Sequence, residues 1–161
     1  MPVTVEDLKQ FLSLKNELRN HAQYIQERLA RMKSAEQYPT TQLGDVSQHT
    51  TGATDAKAKA VEKRLLYTDT SNSEVLTMLQ RLREIEATVN LIKDSQQRQI
   101  LRYRYMDADG CRYPQWWMVA KKMYGGTDER HIRACLRVHN AALASFEKVA
   151  NAAQNDNGCG L

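Results

Sequence analysis

The chain has 161 residues, of which 42% are hydrophobic, 26% charged and only 7% aromatic, with 3 prolines. That composition suits a helical domain, or a small domain with an elongated extension, and argues against a compact α/β enzyme. The net charge of +4 is unevenly spread: residues 1–95 hold 13 Lys/Arg and 13 Asp/Glu, whereas residues 96–150 hold 10 against 5, so the basic excess sits in the C-terminal segment and points to a polyanionic partner.

From the N-terminus, residues 5–34 read as one long amphipathic helix. Thr4 is placed to cap it, and Glu6 and Asp7 suit the first turn, where negative charge complements the helix dipole. Leu8, Phe11, Leu14, Leu18, Ala22, Ile25, Leu29 and Met32 recur in steps of three and four, a stripe that must be buried against something. The stretch 36–54 holds Pro39, Gly44, Gly52 and five threonines and reads as a loop. Helical periodicity returns over residues 55–93, with Val61, Leu65, Thr68, Asn72, Val75, Leu79, Leu82, Ile85, Val89 and Ile92 on one near-heptad stripe. The patch TDTSNS at 68–73 is rich in poor helix formers and marks either a break or a weak point. Two long stripes around a loop predict an antiparallel helical hairpin. So aromatic-poor a hairpin predicts self-association through what remains exposed, a dimer being favoured, and an aspartate at Leu79 or Leu82 is expected to break it.

Past the polar Asp94–Ser95, a helix is expected over 96–106, then a turn through Gly110, then a helix through WWMVAKKMY with Pro114 in its first turn. Gly125 and Gly126 end that helix, and Thr127 is the expected N-cap of a last helix over about 128–152. Trp116, Val119, Ala120 and Met123 should face a core shared with Ile132, Cys135 or Leu136, His139, Leu143, Phe146 and Val149, leaving Trp117 partly exposed. The domain division that follows is residues 1–95 as a hairpin and oligomerisation region with a loop at 36–54, residues 96–150 as a three-helix unit, and residues 151–161 as a disordered tail.

The last helix carries the strongest functional signal. Arg130, Arg133, Ala134, Arg137 and Ala141 share one stripe. The arginines can reach phosphates or guanine edges, and the small alanines allow close approach to a groove floor. Lys121 and Lys122 on the preceding helix, with Thr127 and His131 near the turn, complete the candidate DNA-binding set. A solvated helix face is the bland alternative. The cysteines at 111, 135 and 159 are odd in number and 24 residues apart, which indicates neither a disulfide framework nor a zinc site and suits a reducing cytosol. The four histidines have no metal-ligand spacing. No phosphate loop, nucleophile elbow or H-E-x-x-H motif occurs, so neither enzymatic activity nor a cofactor is expected. No apolar run approaches the roughly 18 residues of a membrane span, and MPVTVEDLKQ lacks the features of a signal peptide.

The segment LRYRYMDADGCRYPQWWMVAKKMYGGTDERHIRACLRVHNAAL resembles the C-terminal helix-turn-helix of phage-encoded ArpU/RinA-type transcriptional regulators, itself similar to region 4 of bacterial sigma factors. The counterparts are Leu101-Arg102-Tyr103, Gly110, Trp116, Val119-Ala120 and the run from His139 to Leu143. The segment QLGDVSQHTTGATDAKAKAVEKRL resembles the loop and long helix that precede that unit in the family, so the likeness spans about residues 35–148. The second tryptophan, the long DADGCRYP turn and extra residues around Gly126–Arg130 depart from the pattern. The resemblance implies an all-α regulator of phage or prophage genes in the cytoplasm of a bacterial host. It would bind double-stranded DNA through the helix starting near Thr127, with RNA polymerase as a candidate partner. A phage small terminase subunit and a structural coiled-coil adaptor are the competing readings. Ring-like stoichiometry would mark the former, and an absence of salt-dependent DNA binding the latter.

Overall fold

The computed structural model of the chain describes residues 2–37, 51–108, 110 and 112–157. Among these every regular element is helical. The elements are α1 (Val5–Gln37), α2 (Thr51–Asn90), α3 (Ser95–Leu101) running on into a π-helical turn (Arg102–Met106), α4 (Trp116–Tyr124) and α5 (Glu129–Asn157). Helices α1 and α2 pack against each other. The described residues fall into two compact units, one within Met1–Glu17 and Leu79–Leu161, the other within Leu18–Met78. Each of the two long helices therefore contributes to both units. Of the expected loop at 36–54, residues 38–50 lie outside the described residues, while 36, 37 and 51–54 are helical.

In the first unit Thr4 and Asp7 start α1 as a reciprocal cap. The Thr4 amide and hydroxyl donate to Asp7 Oδ2 at 2.8 and 2.6 Å, and the Asp7 amide donates to Thr4 Oγ1 at 3.3 Å. Arg81 on α2 donates to the same carboxylate at 2.9 Å, to Glu84 at 3.1 Å and to the Pro2 carbonyl at 3.0 Å. Beneath this polar cluster lie Leu8, Phe11 and Leu12 from α1 and Leu82, Ile85 and Val89 from α2, all buried. Leu82 is thus a core residue of this unit, on the stripe expected to be buried.

Helix α3 is capped by Asp94, whose Oδ1 accepts from the Gln96 and Gln97 amides at 2.8 and 3.3 Å. Arg98 donates to the Ile92 and Lys93 carbonyls and so ties down the end of the link from α2. The ladder then widens: the Asp107 amide donates to the Arg102 carbonyl at 2.9 Å, a five-residue step. The extra residue lets Ile100, Leu101, Tyr105 and Met106 all turn inward. Both α3 and α4 pack on α5, where Val119 and Ala120 meet a buried α5 stripe of Cys135, His139, Ala142, Phe146 and Ala150. That stripe settles the Cys135/Leu136 alternative in favour of Cys135. It also replaces Leu143 and Val149, expected inside, with Ala142 and Ala150. Small side chains there admit the neighbouring helices closely, and the longer aliphatics sit at the margin.

Two boundaries differ from the sequence reading. Gln115, not Pro114, borders α4: its carbonyl accepts from the Met118 and Val119 amides at 2.9 and 3.2 Å, so Pro114 lies one residue outside the helix. Helix α5 continues to Asn157 through most of the tail expected to be disordered. Ala152 and Ala153 are good helix formers, and no glycine intervenes before Gly158.

In the second unit His21 Nε2 lies 2.9 Å from Glu74 Oε2, and the Arg28 guanidinium stands 4.6 Å over the Tyr67 ring. The inner positions of α2 here are Ser71, 3% exposed, with Thr68, Val75 and Met78 half-buried. Leu65 and Asn72, expected on the buried stripe, are exposed. The threonine-rich patch does not break the helix. Thr68, Thr70 and Thr77 hydroxyls donate back to the carbonyls four residues earlier at 2.9–3.0 Å, which satisfies them without competing for backbone amides.

Candidate nucleic-acid interface

The link between α4 and α5 is built from two glycines with different roles. Gly125 takes the left-handed conformation, with φ 75°, and its amide donates to the Lys121 carbonyl at 2.9 Å. This is the C-terminal stop that favours glycine. At Gly126 the constraint is space: a Cβ there would stand 2.4 Å from the His131 ring. The ring is held by Asp128, whose Oδ1 lies 2.6 Å from His131 Nδ1, and by Tyr124, 6.3 Å away between centroids. The hydrogen bond from His131 holds the Asp128 carboxyl below its ordinary value. The Ile132 amide donates to the Asp128 carbonyl at 3.1 Å. Asp128 therefore occupies the N-cap position expected for Thr127, which is exposed one residue earlier.

Arg130, Arg133 and Arg137 are all exposed, as is Ala141, with Ala134 half-buried between them. Their face of α5 is the one turned away from the Cys135–His139–Phe146 core stripe. Arg130, Arg133 and Arg137 line a shallow groove together with Glu129. Of the arginines, Arg133 forms an ion pair with Glu129 one turn before it, both side chains at least 70% exposed. An acid therefore sits on the basic face, paired with the middle arginine of the three. Lys121 and Lys122 are exposed on α4. The Lys122 ammonium lies 5.4 Å over the Tyr103 ring. His131 is half-buried against the turn. It is a brace for the α4–α5 link more than a surface contact.

Sequence reasoning missed the cluster that fixes α4. Arg104, on the π-helical turn, donates to the Pro114 carbonyl and stacks 4.4 Å over Trp116 and 5.3 Å over Tyr113. Trp116 in turn meets the His139 ring edge-on at 4.8 Å, and the Tyr105 hydroxyl lies 2.8 Å from His139 Nε2. Trp116 is half-buried and Trp117 is 45% exposed, its Nε1 donating to Gln115 at 2.8 Å. The adjacent residues RYRY carry the cluster, but alternation within a helical segment leaves no periodic sign of it.

Among the described residues no group of three or more His, Cys, Asp or Glu side chains is arranged to hold a metal ion. None of the described helices is long and apolar enough to cross a membrane. No family model, curated protein or solved structure matches the chain.

Proposed function

We propose that the chain is a sequence-specific, double-stranded-DNA-binding transcriptional regulator of the phage ArpU/RinA type. In this reading α4, the Gly125–Gly126 turn and α5 form a helix-turn-helix, and the N-terminal half of α5 enters the major groove. The observation that carries it is the shared exposed face of Arg130, Arg133 and Arg137, interleaved with Ala134 and Ala141 and backed by a packed apolar stripe. Long cationic forks between small residues suit a surface that must approach base edges closely while neutralising phosphates. The α1–α2 pair would serve as a helical hairpin that brings two such units to a two-fold-related pair of half-sites. RNA polymerase enters as a further candidate partner through the family resemblance alone.

The test is selection of bound duplexes from a random pool, followed by titration of the selected site and of a scrambled duplex at several salt concentrations. The expected result is a binding constant that falls steeply with salt on both duplexes and is tighter on the selected one. Replacing Arg130, Arg133 and Arg137 together by alanine should abolish the preference for the selected site. A wild-type chain with no salt-dependent affinity for duplex DNA would return these arginines to a solvated helix face.

A further inference from the structure

The start of α4 carries a cationic, aromatic cleft that is separate from the arginine face of α5. It lies between the turn before α4 and Ile132 of α5, and is lined by Arg104, Arg112, Tyr113, Trp116 and Trp117. Among the described residues no carboxylate lines it, and neither arginine takes part in an ion pair. The groove of Arg130, Arg133 and Arg137 differs in this, since Glu129 sits within it. Arg104 is locked in place by the Pro114 carbonyl and by the Tyr113 and Trp116 rings, and its Nε is buried without a hydrogen-bond partner. A guanidinium that is partly dehydrated and not neutralised favours an anion nearby. Arg112 is exposed and free to supply the contact. Trp117 is 45% exposed, and its Nε1 donates to Gln115 Oε1 at 2.8 Å. The indole is thus held in one orientation while nearly half of it stays open to a ligand.

We infer that this cleft binds one unpaired nucleotide of a single strand, with the base stacked on Trp117 and the adjoining phosphate held by Arg112 above the Arg104 charge. A fixed aromatic surface beside unneutralised guanidinium groups matches the two halves of a nucleotide, a flat ring and an anion. The site suits a strand better than a free nucleotide. Arg112, Tyr113, Gln115 and Trp117 are all exposed, so the cleft covers one side of a ligand, whereas small-molecule sites enclose most of theirs. A strand adds contacts beyond the cleft. A base inside a duplex is stacked on both faces and has none to offer the indole. The inference therefore does not rest on duplex binding by α5.

The probe is an oligothymidylate of about ten residues, which does not pair with itself. Binding to the full chain is followed by the anisotropy of a dye on the strand and by tryptophan fluorescence. The fluorescence reports this cleft, because the chain has only two tryptophans and both line it. Wild type should bind with saturable quenching. Trp117→Leu should raise the dissociation constant about tenfold, and Trp117→Phe no more than about threefold, since a phenyl ring still stacks. Arg112→Gln should weaken binding at low salt and flatten the log-log salt slope by about 0.7. Both positions are exposed, so unchanged circular dichroism is expected. Thymidine monophosphate should compete weakly, and inorganic phosphate at matched ionic strength should not compete. The inference is overturned if wild type does not bind the strand, if Trp117→Leu or Arg112→Gln binds as wild type does, or if Trp117→Phe is as weak as Trp117→Leu. Inorganic phosphate competing as well as the nucleotide would remove the base from the site, and a monophosphate binding as tightly as the strand would remove the strand; either overturns it. A chain that binds this strand but no duplex sinks the proposed function and leaves the cleft standing, and one that binds duplex but no strand does the reverse.

Discussion

The Tyr105 hydroxyl and His139 Nε2 lie 2.8 Å apart inside the C-terminal unit, joining the π-helical turn to the middle of α5 across 34 residues of sequence. His139 is only 7% exposed, packed against Tyr105 and the edge of Trp116. Burial is the main force holding its pKa below the usual histidine value. The Arg104 and Lys9 charges push the same way, and a hydrogen bond with the Asn140 side chain opposes them. The imidazole therefore folds as the neutral form.

A pH dependence follows. An unfolded histidine titrates near 6.5, and in the folded chain His139 takes up a proton only at lower pH. Between those two points the unfolded state binds the extra proton, so stability is full above about pH 6.5 and declines as pH falls below it. Thermal melting at pH 7.5 and 5.5 should show a drop in wild type that shrinks in His139→Gln, which retains hydrogen-bonding capacity but does not titrate. Equal drops in both proteins would assign the effect to other groups.

Truncations should rank the core. Phe146 is fully buried on the α5 stripe, while Trp116 is half-buried beneath the Arg104 guanidinium. Phe146→Ala should cost about 3–5 kcal/mol. Trp116→Ala should cost about 3 kcal/mol, at the low end of that range because less of its surface is removed from water. Denaturant unfolding measures both, and a larger loss at Trp116 would mean that the Arg104 stack contributes more than the apolar contacts.

Asp7 links local and tertiary structure, since the same carboxylate caps α1 through Thr4 and receives Arg81 from α2. Partial burial alone would raise its pKa, but the Thr4 and Arg81 hydrogen bonds outweigh burial and leave it lowered. Its contribution is therefore present above the unfolded value near 3.9 and is lost as pH falls through the lower folded value. Asp7→Ala should cost about 1–2 kcal/mol at neutral pH. Thr4→Ala, which removes the hydroxyl partner but keeps the ion pair, should cost less. Equal losses would make the cap the whole effect.

The parts of the fold that were legible in the sequence share a physical trait: local signals that agree with one another. Thr4 before α1 and Gly125 after WWMVAKKMY each pair a backbone requirement with the residue that meets it, and the structure uses both; Asp94, read only as polar punctuation, proves to be the cap of α3. Register on α2 was not legible in the same way. Leucines occupy two sides of that helix, so periodicity alone could not say which side meets α1, and Ser71 rather than Asn72 turns inward. The π-helical turn has no mark in composition, because one added residue in a helical run changes no propensity. In the candidate interface the arginine stripe was readable from spacing. The pairing of Glu129 with Arg133 follows from the same spacing, an acid and a base four residues apart on one helix.

That ion pair yields the sharpest prediction for the interface. Both partners are largely exposed, so the pair itself contributes little to stability. Its consequence is for binding: Glu129 occupies Arg133 and places a negative charge on the face that would meet phosphates. Glu129→Gln removes the charge and keeps the shape. It should leave melting nearly unchanged and tighten duplex binding several-fold, with a gain that shrinks as salt rises. Arg133→Ala should do the opposite, and its sequence dependence fixes its role. Loss mainly on the selected site, about 1–3 kcal/mol, marks a base contact. Equal loss on selected and scrambled duplexes marks a phosphate contact, the behaviour expected of Lys121→Ala, where the salt slope should fall by about one unit. Lys122, drawn over Tyr103, should show a smaller effect than Lys121. If Glu129→Gln weakened binding instead, Glu129 would itself be reading the DNA, as a carboxylate accepting from a cytosine amino group, and the polarity assigned to this face of α5 would have to be revised.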